Sequence, residues 1–378
     1  MNCATSSPIS PPPRLRNNAL SDPLKTSDAI EVKKVSGRII GLDSIRFIAA
    51  AWVMFYHVGY PPFLQGLDRS HGWGKIVGAA YDCLFCGPAS VIVFFVISGF
   101  CIHYPYRQGR KKVEFLNFLS RRYVRILLPW FVWLGFVKWV GMTYDTVGAM
   151  VGWSIECELI YYTCYPLLHL LARWCGWRTL ITITFPFSFV VMYFINPSEM
   201  MYPSFGLWGN ALLGLPCWLL GCLLAEEFAG TRPISKNTIW LWRGLIVFAN
   251  AACFSCMLHL KIGFPWTLNL FAIPVYFWLK LEVAMLREVG SFRENRGFSI
   301  LEWGGKWSYS LYLMHGPLSR VYISFSVDFG GNWLGTFITW GLRISFILLC
   351  SYVFYLIVEK PSHWLARRIS ARNRGAAS

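Results

Sequence analysis

Gly41-Leu-Asp-Ser-Ile-Arg-Phe-Ile-Ala-Ala-Ala-Trp-Val-Met-Phe-Tyr-His57 is the first strongly apolar stretch of the chain, and it places a cation, Arg46, eleven positions before an imidazole, His57. On an α-helix that spacing is almost three turns, so both side chains project from one face with roughly 16 Å of rise between them. A cation and an imidazole on one stripe of a membrane helix are costly to bury, which points to a functional groove. The alternative has Arg46 snorkelling to the surface and His57 resting at the interface. Spacing alone leaves both open.

Working outward, hydrophobic residues make up 55% of the chain and charged residues 14%, whereas soluble domains are about a quarter charged. This is the composition of an integral membrane protein. The 35 Lys and Arg against 19 Asp and Glu, a net +16, speak first of membrane topology rather than of nucleic acid as a partner. Apolar stretches place ten candidate spans at about 39–58, 83–104, 124–142, 147–172, 179–195, 207–225, 239–258, 264–286, 307–325 and 333–358, most near the ~20 residues needed to cross the hydrocarbon. With the N-terminus inside, about 27 of the 35 basic residues fall on the inner face, as the positive-inside rule requires. The expected fold is therefore all-α: a polytopic bundle of about ten transmembrane helices with both termini cytoplasmic, multi-pass in the cell membrane (the inner membrane of a Gram-negative cell). Residues 1–36, rich in Pro, Ser and Asn, read as a disordered cytoplasmic tail without a signal peptide. On that view residues 37–361 form the membrane domain, its first span an uncleaved signal anchor, and 362–378 a basic cytoplasmic tail.

Cys83-x-x-Cys86 and Cys253-x-x-Cys256 have the spacing of redox or metal pairs, but most of the 12 cysteines lie scattered within spans. Without a soluble sheet context the spacing assigns no metal.

Chemistry concentrates in four places. The segment after the second span, 106–129, carries seven basic residues. Arg107, Arg110, Lys111 and Lys112 suit inner-face charge that also attracts anionic lipid. Arg122 and Arg125, at i and i+3, can turn two guanidinium forks toward one anionic, phosphate-bearing ligand. In the fourth span, Trp153-Ser-Ile-Glu-Cys-Glu-Leu-Ile-Tyr-Tyr162 sets Glu158 in line with Ser154 and Tyr162, whereas Glu156 points elsewhere. A buried carboxylate needs a cation or a proton; Arg46 and His57 are both candidate partners for Glu158, in a positioning role. In the ninth span, Tyr312 and His315 share a face at i, i+3, either as a cavity lining or as a satisfied core pair. Ser98-Gly99 in the second span is explained by close helix packing, and Glu359-Lys360-Pro361 reads as a charge pair followed by a helix stop.

Taken in order, Gly41-Leu-Asp-x-Ile-Arg46 with His57, Phe94-Phe-Val-Ile-Ser-Gly-Phe100, Arg122-x-x-Arg125, Trp153-Ser-Ile-x-x-Glu158 leading to Tyr162, Tyr309-Ser-Leu-Tyr-Leu-x-His315 and Glu359-Lys-Pro361 resemble the motifs of acyltransferase family 3. The resemblance covers Gly41 to about Pro361. It implies a ten-helix membrane O-acyltransferase that moves an acyl group, commonly acetyl, from cytoplasmic acyl-CoA onto a hydroxyl of a carbohydrate or glycolipid, as in polysaccharide modification. It also implies a catalytic set of His57 as base with Arg46 and Glu158, and donor binding by Arg122 and Arg125. Tyr312, His315 and Ser98 are the expected substrate contacts; acyl-CoA is a substrate and no cofactor is held permanently. The chain departs from the family pattern at Leu159, where a second acid usually follows the glutamate, and it lacks the soluble esterase-like domain of some members.

Two mechanisms remain open: direct transfer with His57 taking the acceptor's proton, or an acyl-enzyme on His57 or Ser98. A transporter or flippase of a sugar-linked or anionic substrate is the rival from another class, although no inverted repeat or paired broken helices accompany it. A non-catalytic acyl-CoA sensor is the third. The 59–81 connection, with Asp68, Arg69, His71 and Trp73, is the candidate surface for acceptor contacts.

Overall fold

The computed structural model describes residues 39, 41–65, 67, 71–110, 113–288, 296–325, 329 and 332–375, and among them every regular element is helical. In chain order these are α1 (Leu42–Val58), α2 (Pro62–Gln65), α3 (Gly72–Leu84), α4 (Gly87–His103), α5 (Phe115–Trp139), α6 (Tyr144–Val147), α7 (Trp153–Cys175), α8 (Trp177–Ile195), α9 (Gly206–Glu227), α10 (Lys236–Ser255), α11 (Phe264–Glu288), α12 (Arg296–Gly305), α13 (Ser308–Phe325), α14 (Trp333–Phe354) and α15 (Lys360–Gly375). Each of the ten expected spans falls on one long helix. The tail expected over 1–36 lies outside the described residues.

Among the described residues, seven helical segments are long and apolar enough to cross a membrane: 42–65, 72–109, 177–195, 202–230, 236–260, 264–286 and 333–369. The other three expected spans are α5, α7 and α13, of 25, 23 and 18 residues. They carry Arg121, Arg122, Arg125 and Lys138, then Glu156, Glu158 and Arg173, then His315 and Arg320. Part of that polarity lines interior cavities, through Arg121, Arg122 and Arg125 of α5 and Glu158 of α7, while Lys138, Arg173 and Arg320 are exposed.

The centre is built on α4 and α9, which are apolar on every side, as fully enclosed helices must be. They cross backbone to backbone: a Cβ on Gly99 would lie 2.0 Å from the Trp218 carbonyl oxygen, and one on Gly221 2.0 Å from that of Val96. Small residues at such a crossing recover contact energy that the bilayer, itself apolar, does not supply. Outer helices leave large apolar side chains uncovered, among them Phe194 at 79%, Phe248 at 71% and Phe325 at 81% exposure. An apolar surface of that extent fits lipid, not water. The protein is a multi-pass membrane protein.

Three local features differ from expectation. The 59–81 connection is not an open loop: α2 and α3 occupy much of it, with His71 and Trp73 exposed at the start of α3, while Asp68 and Arg69 lie outside the described residues. Its glycines and Lys75 mask the helical pattern. Glu359-Lys-Pro361 does not stop the helix. A π turn over Tyr355–Glu359 leads directly into α15, absorbing the hydrogen bond that Pro361 cannot donate. Nor do Glu359 and Lys360 pair on the surface, since Glu359 is turned inward and buried while Lys360 is exposed.

The entry to α1 is held from another helix. Gly41 takes a left-handed φ of 95° and gives α1 no side-chain cap of its own. Instead Glu302 of α12 accepts the amides of Gly41 and Ser44 at 2.9 and 3.0 Å and the Ser44 hydroxyl at 2.8 Å. A carboxylate there also complements the positive end of the helix dipole. That cap fixes the axial position of both Arg46 and His57.

Candidate active site

Four cavities follow one another through the bundle. The outermost, about 490 Å³, is lined by Arg121, Arg122, Arg125, His363, Ala366 and Arg367. Arg122 and Arg125 also line the next, about 620 Å³, together with Arg46, Ser98, Glu158, Tyr162, Tyr309 and Glu359. Arg46, Phe94, Glu158 and Tyr309 are shared in turn with a third cavity that adds Ser154 and Tyr312. Val91 is the one lining residue that this cavity shares with a fourth, where His57 stands with Val53, Tyr56, Met150, Trp153 and Tyr202. Arg46 and His57 thus both line cavities of one series, Arg46 in its middle and His57 at one end.

At the His57 end, the ring Nδ1 lies 2.9 Å from the Val53 carbonyl oxygen and 3.1 Å from Nε2 of His315. On the far side of His315, its Nδ1 faces the Leu311 carbonyl at 3.2 Å. Carbonyls only accept, so both Nδ1 atoms carry hydrogen, and His315 Nε2 is the acceptor between the rings. The pair therefore fixes His57 as the Nδ1–H tautomer. Its Nε2 is left as a lone-pair acceptor with no protein partner among the described residues. His315 lines none of the four cavities; it is wholly buried behind His57.

Midway, Glu158 accepts a hydrogen bond from Tyr162 at 2.8 Å, one helical turn away on α7. Ser98 lies 3.1 Å from the Tyr162 hydroxyl and accepts from Trp218 Nε1 at 3.3 Å. Arg46 shares two cavities with Glu158 and attracts it electrostatically, so the cation, and not His57, is the partner facing this carboxylate. Tyr312 bonds Ser154 at 2.8 Å, tying α13 to α7. The residues expected to act together are brought to one groove, but at separate stations. Ser98 sits seven residues along α4 from Val91, about 10 Å of helix rise from the His57 cavity. Glu156 lies apart, bonded to Tyr144.

Two acids escape sequence reasoning. Glu359 lines the Arg125 cavity and accepts from the Ser310 amide at 3.1 Å and its hydroxyl at 2.5 Å. An acid one residue before Lys-Pro resembles a helix terminus, and only the π turn rotates it inward. Glu302 lies in a short helix with no membrane signal, and its role as a cap depends on a contact 258 residues away in sequence.

The described cysteines are free thiols, Cys83, Cys86, Cys253 and Cys256 among them.

Residues 39–356 match the family model described as an acyltransferase domain, of acyltransferase family 3. The chain is also 23% identical over 319 residues to "Acyltransferase MdmB" of Streptomyces mycarofaciens, a match covering 74% of this chain and 78% of that protein. No solved structure matches. The family match runs from α1 to the end of α14, and the chain belongs to acyltransferase family 3, as a membrane enzyme that transfers acyl groups.

Proposed function

We propose that the enzyme transfers an acyl group, acetyl, from cytoplasmic acyl-CoA to a hydroxyl of a carbohydrate or glycolipid acceptor. The observation that carries this reading is the chain of cavities joining a basic mouth at Arg122 and Arg125 to the unpartnered Nε2 of His57. A thioester with a phosphorylated handle and a long thin arm fits such a path. The handle would rest on the two guanidinium groups, and the arm would pass Arg46 to bring the carbonyl carbon to His57.

At that end His57 Nε2 takes the proton from the acceptor hydroxyl as its oxygen attacks the thioester carbonyl. The C–S bond then breaks, and the departing CoA sulfur receives the proton from the imidazolium, restoring the base. His315 acts as a positioning residue by holding the tautomer, and Arg46 with Glu158 orients the middle of the groove. Ser98 is already engaged with Tyr162 and Trp218, far from His57, which favours direct transfer over an acyl-serine. In this reading ten helices cross the cell membrane, both termini are cytoplasmic, and the membrane domain spans 37–361. Family membership favours catalysis over the transport and sensor alternatives.

Mass spectrometry of surface glycans and glycolipids from cells with and without the gene tests the acceptor class. One acetyl ester is expected to disappear with the gene and to return with the wild-type copy but not with His57→Ala. An unchanged ester inventory would contradict the assignment.

A further inference from the structure

Helix α15 contains Lys360, Arg367, Arg368, Arg372 and Arg374 and no carboxylate. As a tail it would be a lipid-facing basic strip. Instead it continues out of α14 and lies along α5, with Ser362 donating to the Arg125 carbonyl at 3.4 Å and Ser362 and Ala366 buried in the contact. This docking brings His363 and Arg367 to the cavity of Arg121, Arg122 and Arg125.

Four guanidinium groups around one cavity, with no acid in its lining, repel one another unless an anion of several charges sits among them. The buried Nε2 of His363 has no hydrogen-bond partner among the described residues, and its nearest acid, Glu359, is 3.5 Å away. The four arginines differ in depth. Arg122 and Arg125 are half-buried and open onto the groove, whereas Arg121 and Arg367 are exposed at the rim.

Coenzyme A carries two phosphate groupings, a pyrophosphate from which the pantetheine arm extends and a phosphomonoester on the ribose 3′ position. For the arm to enter the groove the pyrophosphate must occupy the inner pair, which leaves the rim pair for the other. We infer that Arg367 of α15, together with Arg121 of α5, forms a second anion seat that takes the 3′-phosphomonoester of CoA. This rests on the acyl-CoA reading and deepens it. The seat makes the enzyme select CoA over donors that lack that group, such as a bare phosphopantetheine arm. A phosphomonoester on a lipid headgroup has the same chemistry and reaches the same surface.

The test is titration of the full-length enzyme, in nanodiscs of neutral phosphatidylcholine, with CoA and with 3′-dephospho-CoA. Wild type is expected to bind CoA about tenfold or more tightly than the dephospho form, as one charge-assisted contact allows. Arg121→Gln combined with Arg367→Gln should weaken CoA alone, closing the gap to within about twofold, and Arg367→Lys should keep most of it. Equal binding of the two ligands by wild type, or equal weakening of both in the double variant, overturns the seat while leaving the donor reading intact. Binding of neither ligand by wild type overturns both. Discs doped with phosphatidic acid separate the two sources: undiminished CoA selectivity supports the nucleotide, and its loss assigns the seat to lipid.

Discussion

His57→Ala will lower acyl transfer by about 10²–10⁴-fold, the range for removing a positioned general base, while leaving the affinity for acyl-CoA within about twofold of wild type. The asymmetry follows from the geometry. His57 lines only the last of the four cavities, and its Nδ1 is turned away toward Val53 and His315, so only Nε2 meets the reacting atoms. In the proposed function the phosphate handle rests at the opposite end, against residues that no substitution at 57 touches. Parallel measurement of single-turnover transfer and of equilibrium donor binding reads the two effects separately. Substituting His315 by Ala should give a smaller loss, because the Val53 carbonyl still holds the Nδ1 hydrogen. Wild-type transfer by His57→Ala would remove the imidazole from the chemistry.

Arg122→Gln combined with Arg125→Gln will weaken acyl-CoA binding by about 10²-fold or more, since each lost hydrogen bond to an ionised phosphate is worth about 1.5–3 kcal/mol and about 1.4 kcal/mol is tenfold. The transfer rate at saturating donor should stay near wild type, because neither arginine reaches the His57 cavity. A rise in KM with kcat preserved is therefore the signature, the loss of binding shared equally by ground and transition states. An unchanged donor affinity would place the phosphates elsewhere. A fall in kcat alone would give the pair a role in the reaction itself.

Much of this fold was legible because the membrane imposes strong regularities. Apolar length locates the helices, and ten stretches became ten long helices. The Arg46–His57 spacing identified a real stripe, since a rigid helix preserves relations within one turn pattern. What stayed hidden depends on relations between helices. Nothing near His57 in sequence announces that His315 stands behind it, and the i, i+3 spacing of Tyr312 and His315 left a cavity lining and a satisfied core pair both open. In the fold Tyr312 faces a cavity while His315 backs the other imidazole. Glu158 showed the same limit: its depth in an apolar helix was readable, but the choice between Arg46 and His57 as partner needed the packing of α1 on α4 and of α4 on α7. Glu359 was misread for a local reason, because a π turn shifts the facing of every residue after it and leaves no compositional mark. The 59–81 segment failed through composition, as glycines and a lysine in α3 diluted a helical pattern of only 13 residues.

The central claim is that one continuous path carries the donor's acyl carbon from the basic mouth to His57, and bromoacetyl-CoA tests it most directly. Its electrophilic acyl methylene, placed where an acetyl group would lie, is attacked by an unprotonated imidazole nitrogen, which is alkylated as bromide leaves. Peptide mapping of the labelled full-length enzyme by mass spectrometry should find the adduct on His57, suppressed by excess CoA and, at reagent below saturation, strongly reduced in the Arg122→Gln, Arg125→Gln variant. Labelling confined to Ser98 or to Cys101, which line the cavity of Arg46 and Arg125, with His57 unmodified, would end the path short of the imidazole and contradict the account.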